Sequence, residues 1–485
     1  MYLGIDIGTS AVKIIMVNEA GEILASAAHP LQVNRPHEGY SEQDPQSWWQ
    51  AVEAAMTELG IQKPREMSAV KAIGLSGQMH GLVALDERGD VLRPAILWND
   101  TRCASEADEL DKAEPAFREI GGNAVMAGFT APKAEWMRRH EPDLFAQIKT
   151  ILLPKDYVRY RLSGEMVAEM SDAAGTLWLD VAKRDWSQAL LSACGLSKDQ
   201  MPRLVEGAEI SAPLLDDIAE RWGLPKDVAI AGGGGDNAAA AIGLGVISAG
   251  DGFVSLGTSG VVFMVTDNFA PAAASGAHAF CHALPSLWHQ MGVILAASDC
   301  VSWLCDITNK DIESLMAAMA KTDLLKTTPL FHPYLSGERT PHNDANASAG
   351  FLGVKRGDDE GDLARAVLQG VSFAIADAMD VLRNAGSAPK QLLATGGGSN
   401  NEIWLSYIAS VTGCPISVPE DADSGAALGA ARLAMIADGH QASDICVKPP
   451  IAMTIMPDAE WARCLQEARD KWQKAYHALS PILSS

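Results

Sequence analysis

The chain carries one nine-residue pattern twice, and this limits its possible folds more than any other feature. Ile5-Asp6-Ile7-Gly8-Thr9-Ser10-Ala11-Val12-Lys13 lies over Val254-Ser255-Leu256-Gly257-Thr258-Ser259-Gly260-Val261-Val262 at a constant offset of 249 positions. Each copy sets Gly-Thr-Ser between two apolar runs, which reads as two strands joined at a tight turn. Repetition on this scale implies one fold present twice. The length agrees, because 485 residues exceed what a single core holds, about 250–300. The glycine-bounded stretch after Val246 is the natural division, giving expected domains 1–245 and 246–485.

Each tip brings backbone N–H groups and two hydroxyls together, which suits a phosphate. The first offers Gly8, Thr9 and Ser10, with Lys13 in the strand beyond; the second offers Gly257, Thr258 and Ser259. Two such tips facing across a cleft grip a polyphosphate from both sides. An ordinary turn whose hydroxyls bond their own backbone is the alternative. Only the first copy has an acid, Asp6, where the second has Ser255. A phosphate-bound Mg²⁺, held directly or through water, is therefore assigned to Asp6. No G-x-x-x-x-G-K-[ST] occurs, so this is not a P-loop chain.

A second stretch concentrates chemistry. Val228 to Ala231 reads as a buried strand, four glycines follow, and Asp236 and Asn237 open an alanine-rich helix. The glycines clear the strand's carboxyl end for a ligand, and Asp236 stands at the sheet mouth, where open α/β folds bind ligands. The alternative is that Asp236 only caps the helix. Gly233, Gly235 and Ala238 also fit a dinucleotide fingerprint. That reading needs an acid at the end of the next strand, and Ser255 stands there.

Other strand ends are polar. Gly77-Gln78-Met79-His80-Gly81 and Leu97-Trp98-Asn99-Asp100 suit a polyhydroxyl ligand, and Trp98 either stacks on a sugar or belongs to the core. Gly396, Gly397 and Gly398, followed by Ser399 and Asn400, clear a strand end for a flat nucleoside, unless they form a plain turn. Asp44 and Pro45 start a helix with Trp49, Val52, Ala55 and Met56 inward. Asp423-Ser424-Gly425 opens a small-residue helix suited to close packing, and the tail with Trp461, Leu465 and Trp472 reads as an amphipathic helix. Residues 105–225 read as helices and loops whose polar residues receive no role. His278, Cys281 and His282 look like metal ligands, but on a strand Cys281 faces away from the two histidines.

Composition excludes several partners. A net charge of −23 argues against nucleic acid and anionic membrane. The alanine-rich run after Asp236 is too short and too glycine-broken to span a bilayer. Met1 leads straight into a strand, without a leader. Eight scattered cysteines without a CxxC pair suit reduced thiols in the cytoplasm.

Over essentially its whole length the chain resembles the ASKHA phosphotransferase superfamily, and within it the FGGY carbohydrate kinases. The second signature of that family fits Ala349 to Val354 followed by Asp362 to Gln369. The first fits around Gly128, Thr130, Lys133 and Trp136, departing at Ala134, where a larger apolar residue is usual. The resemblance implies an α/β, two-domain actin/hexokinase/Hsp70-like fold: a duplicated RNase H-like core with an interdomain cleft. It also implies ATP and Mg²⁺, Asp236 as general base, and Met79, His80, Asp236 and Asn237 around the sugar. The Gly8 and Gly257 tips would hold the ATP phosphates, and Gly396 to Asn400 the adenosine. Gly77 to Gly81, Trp98 to Asp100, Pro154 to Tyr157 and Tyr334 to His342 are most similar to members that phosphorylate D-xylulose. A homodimer is a further expectation. Two alternatives stay open: another acceptor (L-ribulose, L-fuculose, gluconate or glycerol), and a nucleotide-gated binding protein on the same fold.

Overall fold

The computed structural model describes residues 1–420 and 425–483; Asp423 and Ser424 lie outside them. The two copies of the repeat become two hairpins. Tyr2–Ile7 pairs antiparallel with Ala11–Val17, and Gly252–Leu256 with Gly260–Thr266. Each hairpin gains a third antiparallel strand, Ile23–Pro30 in the first and Trp288–Ile294 in the second. On its other side each first strand pairs in parallel, with Ala72–Gly77 and Leu392–Thr395 respectively. Ala229–Ala231 and Ile416–Pro419 continue the parallel run. Ile210–Pro213 and Ile451–Ile455 close that edge antiparallel. Five strands thus keep the same order and sense in both sheets, as the repeat implies; the antiparallel edge strand precedes its neighbour in sequence in the first and follows it in the second, and the second adds His278–Cys281 beside Trp288–Ile294.

The strands read as apolar runs because both faces of the sheets are covered. Over the first sheet lies Pro45–Gln62, started by Asp44, whose carboxylate accepts from Gln46 N, with Pro45 in its first turn. Trp48, Trp49, Val52, Met56 and Leu59 are buried beneath it, each worth about 1.5–3 kcal/mol. The second sheet is covered by Glu360–Asn384, opened by a reciprocal Asp359–Asp362 capping box. The tail helix Ala459–Leu483 docks there through Leu465 and Trp472, whose indole N–H donates to Phe331 O.

Gly425–Ala437 follows the second sheet in sequence but packs on the first. It lies across Tyr2–Ile7 and Ala72–Gly77 and against Asp236–Gly243. Glycine makes this approach possible. A Cβ on Gly4 would stand 2.0 Å from Ala427 O, one on Gly74 1.8 Å from Ala430 O, and one on Gly429 1.7 Å from Ala239 O. This helix thus braces the helix that begins with Asp236. Among the described residues no helix is long and apolar enough to cross a membrane.

Candidate active site

Asp236 is the first residue of the helix Asp236–Gly243, with Gly235 as the N-cap. Asp236 thus stands one residue inside the N-cap position. Its carboxylate accepts from its neighbour, Asn237 N at 2.6 Å and Asn237 Nδ2 at 2.9 Å. Asp236 and Asn237 line a cavity of about 280 Å³. Burial pushes the Asp236 carboxyl up to about 6, with the nearby Asp6 adding to the rise and the Asn237 bonds opposing it.

The four glycines have a different role from the one expected. Gly232 and Gly233 admit distant backbone, and Gly235 admits a side chain. A Cβ on Gly232 would meet Glu206 O at 2.2 Å, and one on Gly233 would meet Leu75 O at 2.1 Å. One on Gly235 would meet the Met79 side chain at 2.9 Å. The turn is gripped from behind by a buried polar cluster. Ser171 Oγ accepts from Gly235 N at 3.0 Å and donates to Glu169 at 2.9 Å. Arg159 donates to Gly232 O and to Asp156. Lys155 stands within 2.7 Å of Asp156 and 3.0 Å of Asp172. Burial alone would lower the Lys155 ammonium, but the three carboxylates around it raise it instead. Residues of the helices Pro154–Ser163 and Met170–Ala174, whose starts read from sequence as loops without a role, therefore fix the path of the backbone into Asp236.

Met79 and His80 form the floor. His80 is held at φ 69°, a left-handed conformation that costs on the order of 1–3 kcal/mol. Its carbonyl accepts from Thr130 at 3.1 Å and from the buried Lys133 at 2.7 Å. Its ring donates from Nδ1 to Gly175 O at 2.7 Å. Burial pulls the imidazole down to about 3, so the ring is neutral and Nε2 keeps a lone pair. Trp98 lines the same cavity and is 42 % exposed, so it is not a core residue. Its indole N–H donates to Thr9 Oγ1 at 3.0 Å. Asp100, by contrast, is locked away by Arg102 and by Ser41 N.

The tips differ in what they leave free. The Thr9 hydroxyl is committed, accepting from Trp98 and donating to Gln78 at 2.9 Å, and Gly8 N donates to Ala11 O at 3.0 Å. Ser10 is exposed, and Lys13 stands opposite Asp6 in the hairpin. Asp6 carries a buried Oδ1 with no protein partner among the described residues. Burial raises its carboxyl, against the pull of Ser76 and Lys13. In the second tip, Ser259 lines the cavity beside Ser255. Gly257 O accepts from Ser298 N at 2.9 Å and Thr258 O from Ala297 N at 2.8 Å, seating this tip on the start of Ser298–Thr308.

That same Ser298 opens on a second cavity of about 850 Å³, lined by Gly397, Gly398, Asn400, Trp404, Met316 and others. The Gly257–Ser259 tip therefore links the two cavities, with Ser259 lining the smaller one and Gly257 O holding Ser298 of the larger. Gly397 faces open space, whereas Gly398 packs on Leu256 and Trp404, and Gly396, at φ 83°, packs on Leu256. Ser399 is buried and donates to Gly396 O at 2.6 Å. One glycine of three clears room for a ligand; the other two let the turn close on the neighbouring strand.

Sequence reasoning missed the second-half wall of the smaller cavity, which includes His278 and Arg339. His278 bonds Asn123, Cys281 bonds Val181 O, and His282 faces Val246 O, so each of the three supposed ligands has a protein partner. Among the described residues no group of three or more His, Cys, Asp or Glu is placed to hold a metal.

The sequence is similar to known proteins along its length. The N-terminal domain of the FGGY family of carbohydrate kinases matches residues 1–243, and the C-terminal domain of that family matches 252–437. The xylulose kinase of Escherichia coli (strain K12) is 48% identical over 487 residues, covering 100% of both chains. A solved "xyloylose kinase" from Brucella ovis is 48% identical with a TM-score of 0.95, covering 99% of each chain. A solved xylulose kinase from Rhodospirillum rubrum is 27% identical with a TM-score of 0.91, covering 100% of this chain and 99% of the other.

Proposed function

The chain belongs to the FGGY family of carbohydrate kinases, and on that premise we propose that it transfers the γ-phosphoryl group of ATP to the 5-hydroxyl of D-xylulose. The observation that carries this reading is Asp236, a carboxylate in a small cavity linked through the Gly257–Ser259 tip to a second cavity of nucleotide size. Full-length similarity to the xylulose kinase of Escherichia coli supports the choice of sugar.

Phosphoryl transfer asks mainly for positioning and charge neutralisation. Asp236 takes the proton of the 5-hydroxyl as that oxygen attacks the γ-phosphorus and ADP leaves. Its raised pKa, about 6, suits a base at neutral pH. Asn237 fixes the carboxylate with two hydrogen bonds. Met79, the neutral Nε2 of His80, and Trp98 contact the sugar. The Gly8–Ser10 tip with Lys13 and the Gly257–Ser259 tip hold the ATP phosphates from opposite halves. Gly396 to Asn400 border the adenosine, with Gly397, Gly398 and Asn400 on the larger cavity. An orphaned carboxylate oxygen of Asp6 beside Asp236 fits a divalent cation. Mg²⁺ there would offset phosphate charge, held by Asp6 directly or through water.

The test is a coupled ADP-release assay on D-xylulose, L-ribulose, L-fuculose, gluconate and glycerol. D-xylulose should give the highest kcat/KM, with the 5-phosphate as product. A higher value for another acceptor overturns the assignment of the sugar. ATP hydrolysis that no acceptor stimulates favours the binding-protein alternative.

A further inference from the structure

We propose that Arg339 recognises the carbonyl end of an open-chain ketose, donating from its guanidinium to the C2 oxygen and an adjacent hydroxyl. This rests on the reading of the substrate as a ketopentose phosphorylated at O5. A 2-ketopentose closes its furanose ring through O5 onto C2, so the ring form has no free 5-hydroxyl. Only the open-chain form offers Asp236 a hydroxyl to deprotonate, and that form carries a free carbonyl at its other end.

Arg339 enters the cavity from the second half of the chain. Its charge is felt by His80 and His278, whereas the ionised group felt by Asp236 is Asp6. The guanidinium thus belongs to the histidine end of the cavity, not the phosphate end. Among the described residues no carboxylate stands within ion-pairing distance of it. The neighbouring Glu338 carboxyl accepts from Leu295 N at 3.0 Å and Arg339 N at 2.7 Å. Burial pushes that carboxyl to about 8, so it is mostly neutral at pH 7. A desolvated cation without a counter-charge needs oxygen acceptors, and open-chain sugar oxygens supply them.

Its orientation is imposed by a chain of hydrogen bonds that spans both halves. Asn123 Nδ2 donates to Gly121 O at 2.9 Å and Ala279 O at 3.1 Å, and its Oδ1 accepts from Ala279 N at 3.2 Å. That fixes the amide, so His278 must donate from Nδ1 to Asn123 Oδ1 at 2.9 Å. His278 Nε2 is then an acceptor, and it holds Arg339 Nη1 at 3.2 Å. The remaining guanidinium N–H groups are left for the cavity, in the planar fork that suits paired oxygens.

The experiment compares wild type, Arg339→Met and Arg339→Lys by kcat/KM for D-xylulose and by the inhibition constant of glycerol, which reproduces C3 to C5 of the ketose and lacks its carbonyl end. Arg339→Met should lower kcat/KM for D-xylulose by about 10–100-fold, mainly through KM. The glycerol constant should change less than about threefold, so the preference for the ketose collapses. Arg339→Lys should recover part of the loss, since it keeps the charge without the fork. ADP affinity equal to wild type in both variants shows that the fold is intact. Equal weakening toward both ligands, or toward neither, overturns the role of Arg339. A wild type inactive on D-xylulose overturns instead the ketopentose reading on which this rests.

Discussion

Asp236→Asn should destroy turnover and yet make the ligand-free protein more stable at pH 8. In the folded chain the Asp236 carboxyl rises from 3.8 to about 6, chiefly through burial and then through repulsion from Asp6. One unit is 1.36 kcal/mol, so the ionised form bears roughly 3 kcal/mol relative to the neutral one. The side chain is partly open to the cavity, and screening reduces the effect to about 1–2 kcal/mol. Asparagine keeps an oxygen for the two Asn237 donors, at 2.6 and 2.9 Å, and removes the charge. Between pH 3.8 and about 6 the folded wild type binds more protons than the unfolded chain. Its stability therefore falls as pH rises through that window. Thermal melts without nucleotide or sugar should place the variant about 1–2 °C above wild type at pH 8. The gap should shrink as pH drops below about 6. Turnover should fall by on the order of 10²–10⁴-fold. Identical melts at pH 8, or an advantage that grows on acidification, refute the account of why this carboxyl is raised.

Asp6→Ala removes the orphaned Oδ1 beside Asp236. The Mg²⁺ giving half-maximal rate should rise at least about tenfold, or activity vanish, while calorimetry finds D-xylulose binding within about threefold of wild type. An unchanged Mg²⁺ titration moves the cation elsewhere. His80→Ala deletes the neutral acceptor on the cavity floor and should raise KM for D-xylulose about tenfold or more with ADP affinity intact. Lys133→Met leaves the His80 carbonyl with the Thr130 hydroxyl as its donor. It should also raise the sugar KM, and a KM equal to wild type would show that the left-handed backbone at His80 holds without it.

The duplication was legible because the repeated residues are contiguous and strand periodicity is local. Ile5 to Lys13 and Val254 to Val262 were enough to imply two related sheets, and five strands of each share order and sense. Asp236 was legible because strand, glycines and helix start are adjacent in sequence. The glycines were misread because their neighbours come from far away: Glu206 O, Leu75 O and Met79 touch 232–235, and no local pattern announces a backbone at 2 Å. Arg339 lies inside the stretch Tyr334 to His342, where nothing local marks it out. Its place follows from His278 and Asn123, which are 61 and 155 residues away along successive links. Asp100 looked like a ligand-facing acid because its lock includes Ser41, 59 residues earlier. Gly425–Ala437 was expected to pack closely, and it does, but the sheet it packs on belongs to the other half of the sequence.

The most direct test of the central claim, that the Asp236 carboxylate takes the proton of the sugar hydroxyl, is the pH dependence of kcat/KM for D-xylulose from pH 5 to 9. A base works only when ionised, so the rate should fall tenfold per unit on the acid side, through an apparent pKa of about 6. The residual activity of Asp236→Asn should lack that limb. A profile flat between pH 5 and 7, or the same acid limb in Asp236→Asn, would contradict the claim.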